Sequence, residues 1–245
     1  SLELSNHDVG LRPKFGLFEA ILKVCPLLQR LVIMDSGPIL FSLFEHNDAI
    51  SLPNIKEFHF GFSDMAYTEV LLSRLDAPNL VTLSIEDLLT LHPLPSCGSV
   101  GNTKHLLNYC ATGFSEHPLA IPRSSVPFPK LQWLLLHRVV APINAFRPLV
   151  SIPELCHLLL VDTTNVLAAL ILELDSTTPH PALESIQVFP ITQEEVSRLQ
   201  VLNGTHLVFQ RDEESNPSRR DMNLQTVLMR PYPKIPACVA SSGNT

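Results

Sequence analysis

The sequence predicts an α/β chain in which short parallel strands alternate with helices, and three observations predict it. The first is one phrase written six times, Pro-x-Leu-x-x-Leu-x-Leu, with Ile, Val or Phe admitted at the aliphatic positions. It starts at Pro26 (Leu28, Leu31, Ile33), Pro53 (Ile55, Phe58, Phe60), Pro78 (Leu80, Leu83, Ile85), Pro129 (Leu131, Leu134, Leu136), Pro153 (Leu155, Leu158, Leu160) and Pro181 (Leu183, Ile186, Val188). The second is spacing: these prolines lie 27, 25, 51, 24 and 28 residues apart, and 51 is about two periods. The third is apolar residues at helical spacing between the phrases.

A period of about 20 to 30 residues with leucines at these offsets marks a leucine-rich repeat. The expected fold is therefore a right-handed leucine-rich-repeat-like solenoid of about eight units, with strands on its concave face and helices on its convex face. It is expected to span residues 1–210. Proline suits the start of such a strand, since it has no N–H to give to the ladder. One unit cannot stand alone. Four or five buried side chains contribute ~1.5–3 kcal/mol each, against ~1–2 kcal/mol for ordering each of some two dozen backbones.

Taken in order, Ser1-Leu2-Glu3-Leu4 reads as the end of a repeat strand with Leu2 and Leu4 inward. The chain is thus expected to begin in mid-repeat, as a piece of something longer. Phe18, Ile21, Leu22 and Cys25 fit one helix face, and Tyr67, Val70, Leu71 and Leu75 another. Leu167, Leu170, Ile171 and Leu174 fit a third, with Thr163 or Thr164 as N-cap. Thr192-Gln193-Glu194-Glu195 is a capping box with Ile191 and Val196 as its staple. Gly204 offers a stop, and His206-Leu207-Val208-Phe209 a last strand.

Residues 89–128 break the rhythm with Pro93, Pro95, Pro118, Pro122, Pro127, Gly98, Gly101 and Gly113. They read as an irregular insert, a surface loop holding one degenerate strand near Leu107–Tyr109 that supplies the missing period. Residues 211–245 read as a poorly ordered, acidic and Pro-rich tail.

Composition narrows the function classes. Of 245 residues 45% are apolar, ample for a core, yet no run approaches the ~18 needed to span a membrane. A net charge of −7 and pI near 5.8 argue against a nucleic-acid partner. Five scattered cysteines (Cys25, Cys97, Cys110, Cys156, Cys238) suit reduced thiols in cytoplasm or nucleus. The sequon Asn203-Gly204-Thr205 means little without secretion, and no signal peptide is visible.

Catalytic signatures are missing: no phosphate-cradling glycine loop, no Gly-x-Ser-x-Gly elbow, no His-Glu-x-x-His. Neither enzyme activity nor a cofactor is expected. The best metal constellation is Cys97, His105, Cys110 and His117, at spacings that match no structural-zinc pattern. Solvated loop thiols and imidazoles are the reading preferred for them. Glu86-Asp87 reads as a solvated strand end rather than an acid–base pair, because alternation points the two apart.

The informative residues are those that alternate with the inward leucines. Inward Leu134 and Leu136 leave Trp133, Leu135 and His137 on the outer face, and the next phrase adds His157, Leu159 and Val161. Earlier phrases place Arg30 and Val32, then Glu57 and His59, then Thr82, Ser84 and Glu86 there; later ones place Ser185, Gln187, His206 and Val208. An apolar patch around the chain's single Trp, rimmed by polar groups, predicts a protein-binding hot spot. The bland alternative is that the 89–128 insert folds over these residues as ordinary core.

The strings Cys25-Pro26-Leu27-Leu28-Gln29-Arg30-Leu31, Ala77-Pro78-Asn79-Leu80-Val81-Thr82-Leu83 and Phe128-Pro129-Lys130-Leu131 resemble the leucine-rich region of fungal, basidiomycete-type F-box proteins over roughly residues 1–210. The resemblance implies a substrate-recognition domain of a cullin-type ubiquitin ligase, its repeats holding a protein substrate. A Skp-type adaptor would then be engaged only through an F-box that this chain does not contain. No catalytic residue carries over. The alternative is a leucine-rich-repeat scaffold or sensor without a ubiquitin role.

Overall fold

The computed structural model describes residues 1–39, 49–88, 103–118, 120–141, 143–162, 183 and 185–189. In it the phrases at Pro26, Pro53, Pro78, Pro129 and Pro153 each open with a β-turn. The N–H of the first aliphatic residue donates to the carbonyl of the residue before proline: Leu28 to Cys25 (3.0 Å), Ile55 to Leu52 (3.3 Å), Leu80 to Ala77 (3.1 Å), Leu131 to Phe128 (3.1 Å) and Leu155 to Ile152 (3.3 Å). Proline holds the second position of that turn, where its fixed φ is already correct. The strands begin four residues later, at Arg30, Glu57, Thr82, Trp133, His157 and Ser185. The prolines therefore set turns rather than start strands, which corrects the expectation above.

These six strands and one that precedes them form one parallel sheet: β1 (Leu2–Ser5), β2 (Arg30–Met34), β4 (Glu57–Phe62), β6 (Thr82–Asp87), β7 (Trp133–His137), β8 (His157–Val161) and β9 (Ser185–Phe189), hydrogen-bonded in that order. Short β3 (Ile50–Ser51) and β5 (Leu75–Asp76) pair separately, also in parallel. One junction repeats at each of the four steps from β2 to β8. The Gln29 carbonyl accepts from Lys56 and Glu57, that of Lys56 from Val81 and Thr82, that of Val81 from Gln132 and Trp133, and that of Gln132 from Cys156 and His157. Each of these strands is thereby locked to its neighbour one residue before its first paired position.

The register stacks the phrases. Leu2, Leu31, Phe58, Leu83, Leu134, Leu158 and Ile186 form one row across the sheet, and Leu4, Ile33, Phe60, Ile85, Leu136, Leu160 and Val188 a second. From β2 to β8 all ten of these side chains are at most 2% exposed. They share a core with Phe15, Phe18 and Leu22 of α1 (Phe15–Lys23) and with Val70 and Leu71 of α2 (Met65–Ser73). Outside the sheet, Asn54 and Asn79 reach back one phrase and donate to the carbonyls of Pro26 (2.8 Å) and Pro53 (2.9 Å), while Lys130 donates to Asn79 (2.8 Å).

Helix α1 buries Phe15, Phe18 and Leu22, leaving Ile21 half-buried and Cys25 beyond its end. Asp64 caps α2 by accepting from the Tyr67 N–H at 3.3 Å, and Leu75, assigned above to that helix, lies in β5.

The insert differs from expectation. Residues 104–112 are helix α3 (Lys104–Thr112), not a degenerate strand, and β6 pairs directly with β7. The 51-residue interval is one long crossover. Leu106, Leu107, Cys110 and Ala111 recur at helical spacing and are buried, and Gly113 ends the helix at φ 78°, its N–H donating to Tyr109 at 2.8 Å. Nor is the rest of its described part a free loop. Arg123 donates to Asp76 (2.6 Å), the Leu75 carbonyl (3.0 Å) and Tyr109 (3.2 Å), and the Ile121 N–H donates to Ser73 (2.9 Å).

Cα positions divide the chain into Ser1–Gln210 and Arg211–Thr245. The expected helix at 163–174, the capping box at 192–195, the strand at 206–209 and the tail lie outside the described residues. No described helix is long and apolar enough to cross a membrane.

Two neighbours on β7 test the register. Leu134→Ala is expected to cost about 3–4 kcal/mol, as a cavity in a closed core, and Leu135→Ala about 1 kcal/mol. Urea unfolding of both variants measures the contrast; equal losses would mean that the two faces of β7 are not distinct.

Candidate functional site

Side chains that alternate with the buried rows occupy the opposite face of the sheet, in three rows of their own. Arg30, Glu57, Thr82, Trp133 and His157 form the first; Val32, His59, Ser84, Leu135 and Leu159 the second; Met34, Gly61, Glu86, His137 and Val161 the third. The described part of the insert does not cover this face, because α3 packs against α2 and the 3-10 helices Ile143–Ala145 and Arg147–Ser151.

The face has two halves. On β7 and β8, Trp133, Leu135, His157, Leu159 and Val161 are half-buried and adjacent. The Trp133 and His157 rings lie 3.8 Å apart at 31°, a near-stacked pair that fixes both. On β2 to β6 the face is mixed but mainly polar, Val32 and Met34 apart, with Arg30 3.7 Å from Glu57. Three candidates sit deeper than alternation alone suggests: His59, Glu86 and His137 are each under 9% exposed. They cannot offer free side chains to a partner. Glu57 is half-buried, and for Ser185 and Gln187 only the backbone register is described.

At the carboxyl ends of β6, β7 and β8 lies an ion cluster that the sequence did not announce. His137 places Nδ1 3.1 Å from Glu86 and Nε2 3.5 Å from Asp162. Arg138 places Nη1 3.4 Å from Glu86 and Nε 3.7 Å from Asp162. Arg138 and Asp162 directly follow their strands with φ of 56° and 51°, as Asn6 and Asp35 follow β1 and β2 with φ of 55° and 42°. Asn and Asp tolerate this left-handed conformation. Arg138 has no such ease, and its N–H bond to the Val161 carbonyl (2.8 Å) helps hold it there. The signal available in the sequence was Asn or Asp one residue past a strand. At the other end of the sheet, Arg12 donates to both the carbonyl (2.8 Å) and the carboxylate (3.2 Å) of Asp35, and Ser63 donates to the same carboxylate (2.8 Å).

Protonation follows from these surroundings. Burial, helped by the Arg30 charge and opposed by Glu3, holds the His59 imidazole down at about 4, so it is neutral at pH 7. For His137 burial also lowers the pKa, but hydrogen bonds to Asp162 and Glu86 outweigh it and the net shift is upward. Cys110 is fully buried in α3 and its thiol is pushed up to about 12, by burial first and by the Glu69 charge second. It is not the solvated loop thiol that was expected. His105 faces Glu116 at 3.4 Å, Cys97 lies outside the described residues, and no group of three possible metal ligands occurs among the described residues.

No family model matches the chain, and no curated protein does. Among solved structures, the crystal structure of a Bacteroides fragilis protein aligns at 17% identity and TM-score 0.49, over 78% of this chain and 49% of that one. The chain thus spans about half the length of that protein.

His59 makes a pH prediction. Its folded pKa lies below its unfolded value, so its contribution is present above pH 6.5 and lost as pH falls toward about 4. Between about pH 7 and 4.5 the wild type is expected to lose about 2–3 kcal/mol more than His59→Gln, read from paired denaturant titrations. Parallel curves would show that His59 is not held neutral.

Proposed function

We propose that the stacked phrases coil into a right-handed leucine-rich-repeat-like solenoid, and that its open face captures a protein partner as the substrate-recognition part of an F-box subunit of a cullin-type ubiquitin ligase. One observation carries the binding half of this reading. The outer rows of β7 and β8 present Trp133, Leu135, His157, Leu159 and Val161 together, half-buried and uncovered by the described part of the insert, with charged groups at the rim. Aromatic anchors within a polar rim are what protein hot spots are made of. The ligase half is supported by the Pro-led strings at Pro26, Pro78 and Pro129 and by the regular parallel pairing of the phrases that contain them. Substrate selection, in this reading, is division of labour: inner rows build the coil and outer rows vary with the partner.

Trp133→Ala and Leu159→Glu each remove the centre of the patch without opening the core. Each is expected to shift stability by less than about 1.5 kcal/mol, since these side chains are only half-buried. Proteins retained by the wild-type chain on an affinity column should be lost by both variants at once. Retention unchanged in both would remove the patch as the contact surface, and unfolding of both would make it core. The ligase half is tested separately, by mixing the product of the complete reading frame with a purified Skp-type adaptor; no complex would leave a scaffold or sensor in its place.

A further inference from the structure

Three strand ends meet at one imidazole. The charged groups that face His137 are Glu86 from β6, Asp162 just past the end of β8, and Arg138 just past the end of β7. Asp87, next along β6, falls on the core side with Leu83 and Ile85 by alternation. An imidazolium carries two N–H donors and can serve both carboxylates, whereas a neutral imidazole has one. On losing its proton, one ring nitrogen must turn a lone pair toward a carboxylate oxygen.

The two carboxylates are unequal. The Glu86 side chain is 4% exposed and 3.1 Å from Nδ1, while that of Asp162 is 48% exposed and 3.5 Å from Nε2. Water can replace the lost bond at Asp162 but not at Glu86. The remaining N–H therefore stays with Glu86, and the tie that is lost is the one to Asp162, which keeps only the longer contact to Arg138 Nε at 3.7 Å.

We propose that His137 is a proton-operated latch, which ties Asp162 at the end of β8 to β7 when charged and, when neutral, loosens that tie to the Arg138 contact alone. Its raised pKa agrees with two anionic acceptors stabilising the charged ring. The sign follows: the tie is complete below the unfolded value of 6.5 and is lost as pH rises through the higher folded value. Leu159 and Val161 of β8 belong to the patch, so partner capture, which rests on the binding reading above, would weaken over the same rise in pH.

The latch is tested on the whole chain without any partner. The readouts are the His137 ring titration by NMR and hydrogen exchange at the Arg138 amide, which donates to the Val161 carbonyl at 2.8 Å. Between about pH 5.5 and 8.5, corrected for intrinsic exchange chemistry, protection at Arg138 is expected to fall about fivefold across the His137 titration. In Asp162→Asn that step should vanish and the His137 pKa should drop. His137→Gln should show no step either. A wild-type step and an unchanged ring titration in Asp162→Asn would overturn the latch. Asp162 is half-exposed, so its variant decides the matter even where His137→Gln does not fold. Neither readout involves a partner, so failure of the latch and failure of the binding surface are told apart.

Discussion

The phase of each strand is set before the strand begins. A turn with proline at its second position delivers the chain to a carbonyl that accepts two N–H groups from the next strand, and this junction recurs from Gln29 through Lys56, Val81 and Gln132. Everything else inherits that phase. Side chains alternate with period two, so a slip of one residue would send Leu134 outward and Trp133 into the core. Parallel strands cannot correct such a slip through a tight hairpin, because each is reached by a crossover. The repeated junction is therefore the constraint on which both faces depend.

The two faces are then free to differ. The inner rows are aliphatic or aromatic at every described position and close on α1, α2 and α3 as one core. The outer rows change character along the sheet, from the Arg30–Glu57 pair to the Trp133–His157 stack. At the carboxyl end of the sheet sits a partly buried charge cluster whose members come from three strand ends. Buried ion groups of this kind contribute little net stability but are costly to leave half-satisfied. Such a cluster holds the ends of β6, β7 and β8 in one arrangement as long as both carboxylates are served. The open face is thus rigid where its apolar half begins, which limits the ordering that a partner must impose on binding.

Much of this was legible from residues alone, and the reason is the repetition. A phrase that recurs six times states its own inside and outside, and the rows through Leu31 and Ile33 follow from it. What stayed hidden were features with no period. Proline at a fixed offset does not say whether it lies in a strand or ahead of one; the i to i+3 bond into Leu28 or Leu80 decides it. Leu107 and Tyr109 alternate like a strand, yet Leu106, Leu107 and Cys110 also fit a helix face, and the glycine at 113 ends it as a helix. His59 and Glu86 are outward by alternation but buried once the sheet is assembled, which no single phrase states. The cluster of Glu86, His137, Arg138 and Asp162 joins residues up to 76 positions apart, so no local pattern could announce it.

The most direct test of the stacked register is a set of methyl and aromatic NMR contacts along one row. Leu83 methyls should show cross-peaks to the Phe58 ring on one side and to Leu134 on the other, and Leu134 in turn to Leu158. Contacts from Leu83 to Leu135 instead would mean a one-residue slip, an exchange of the two faces, and the end of the surface described above.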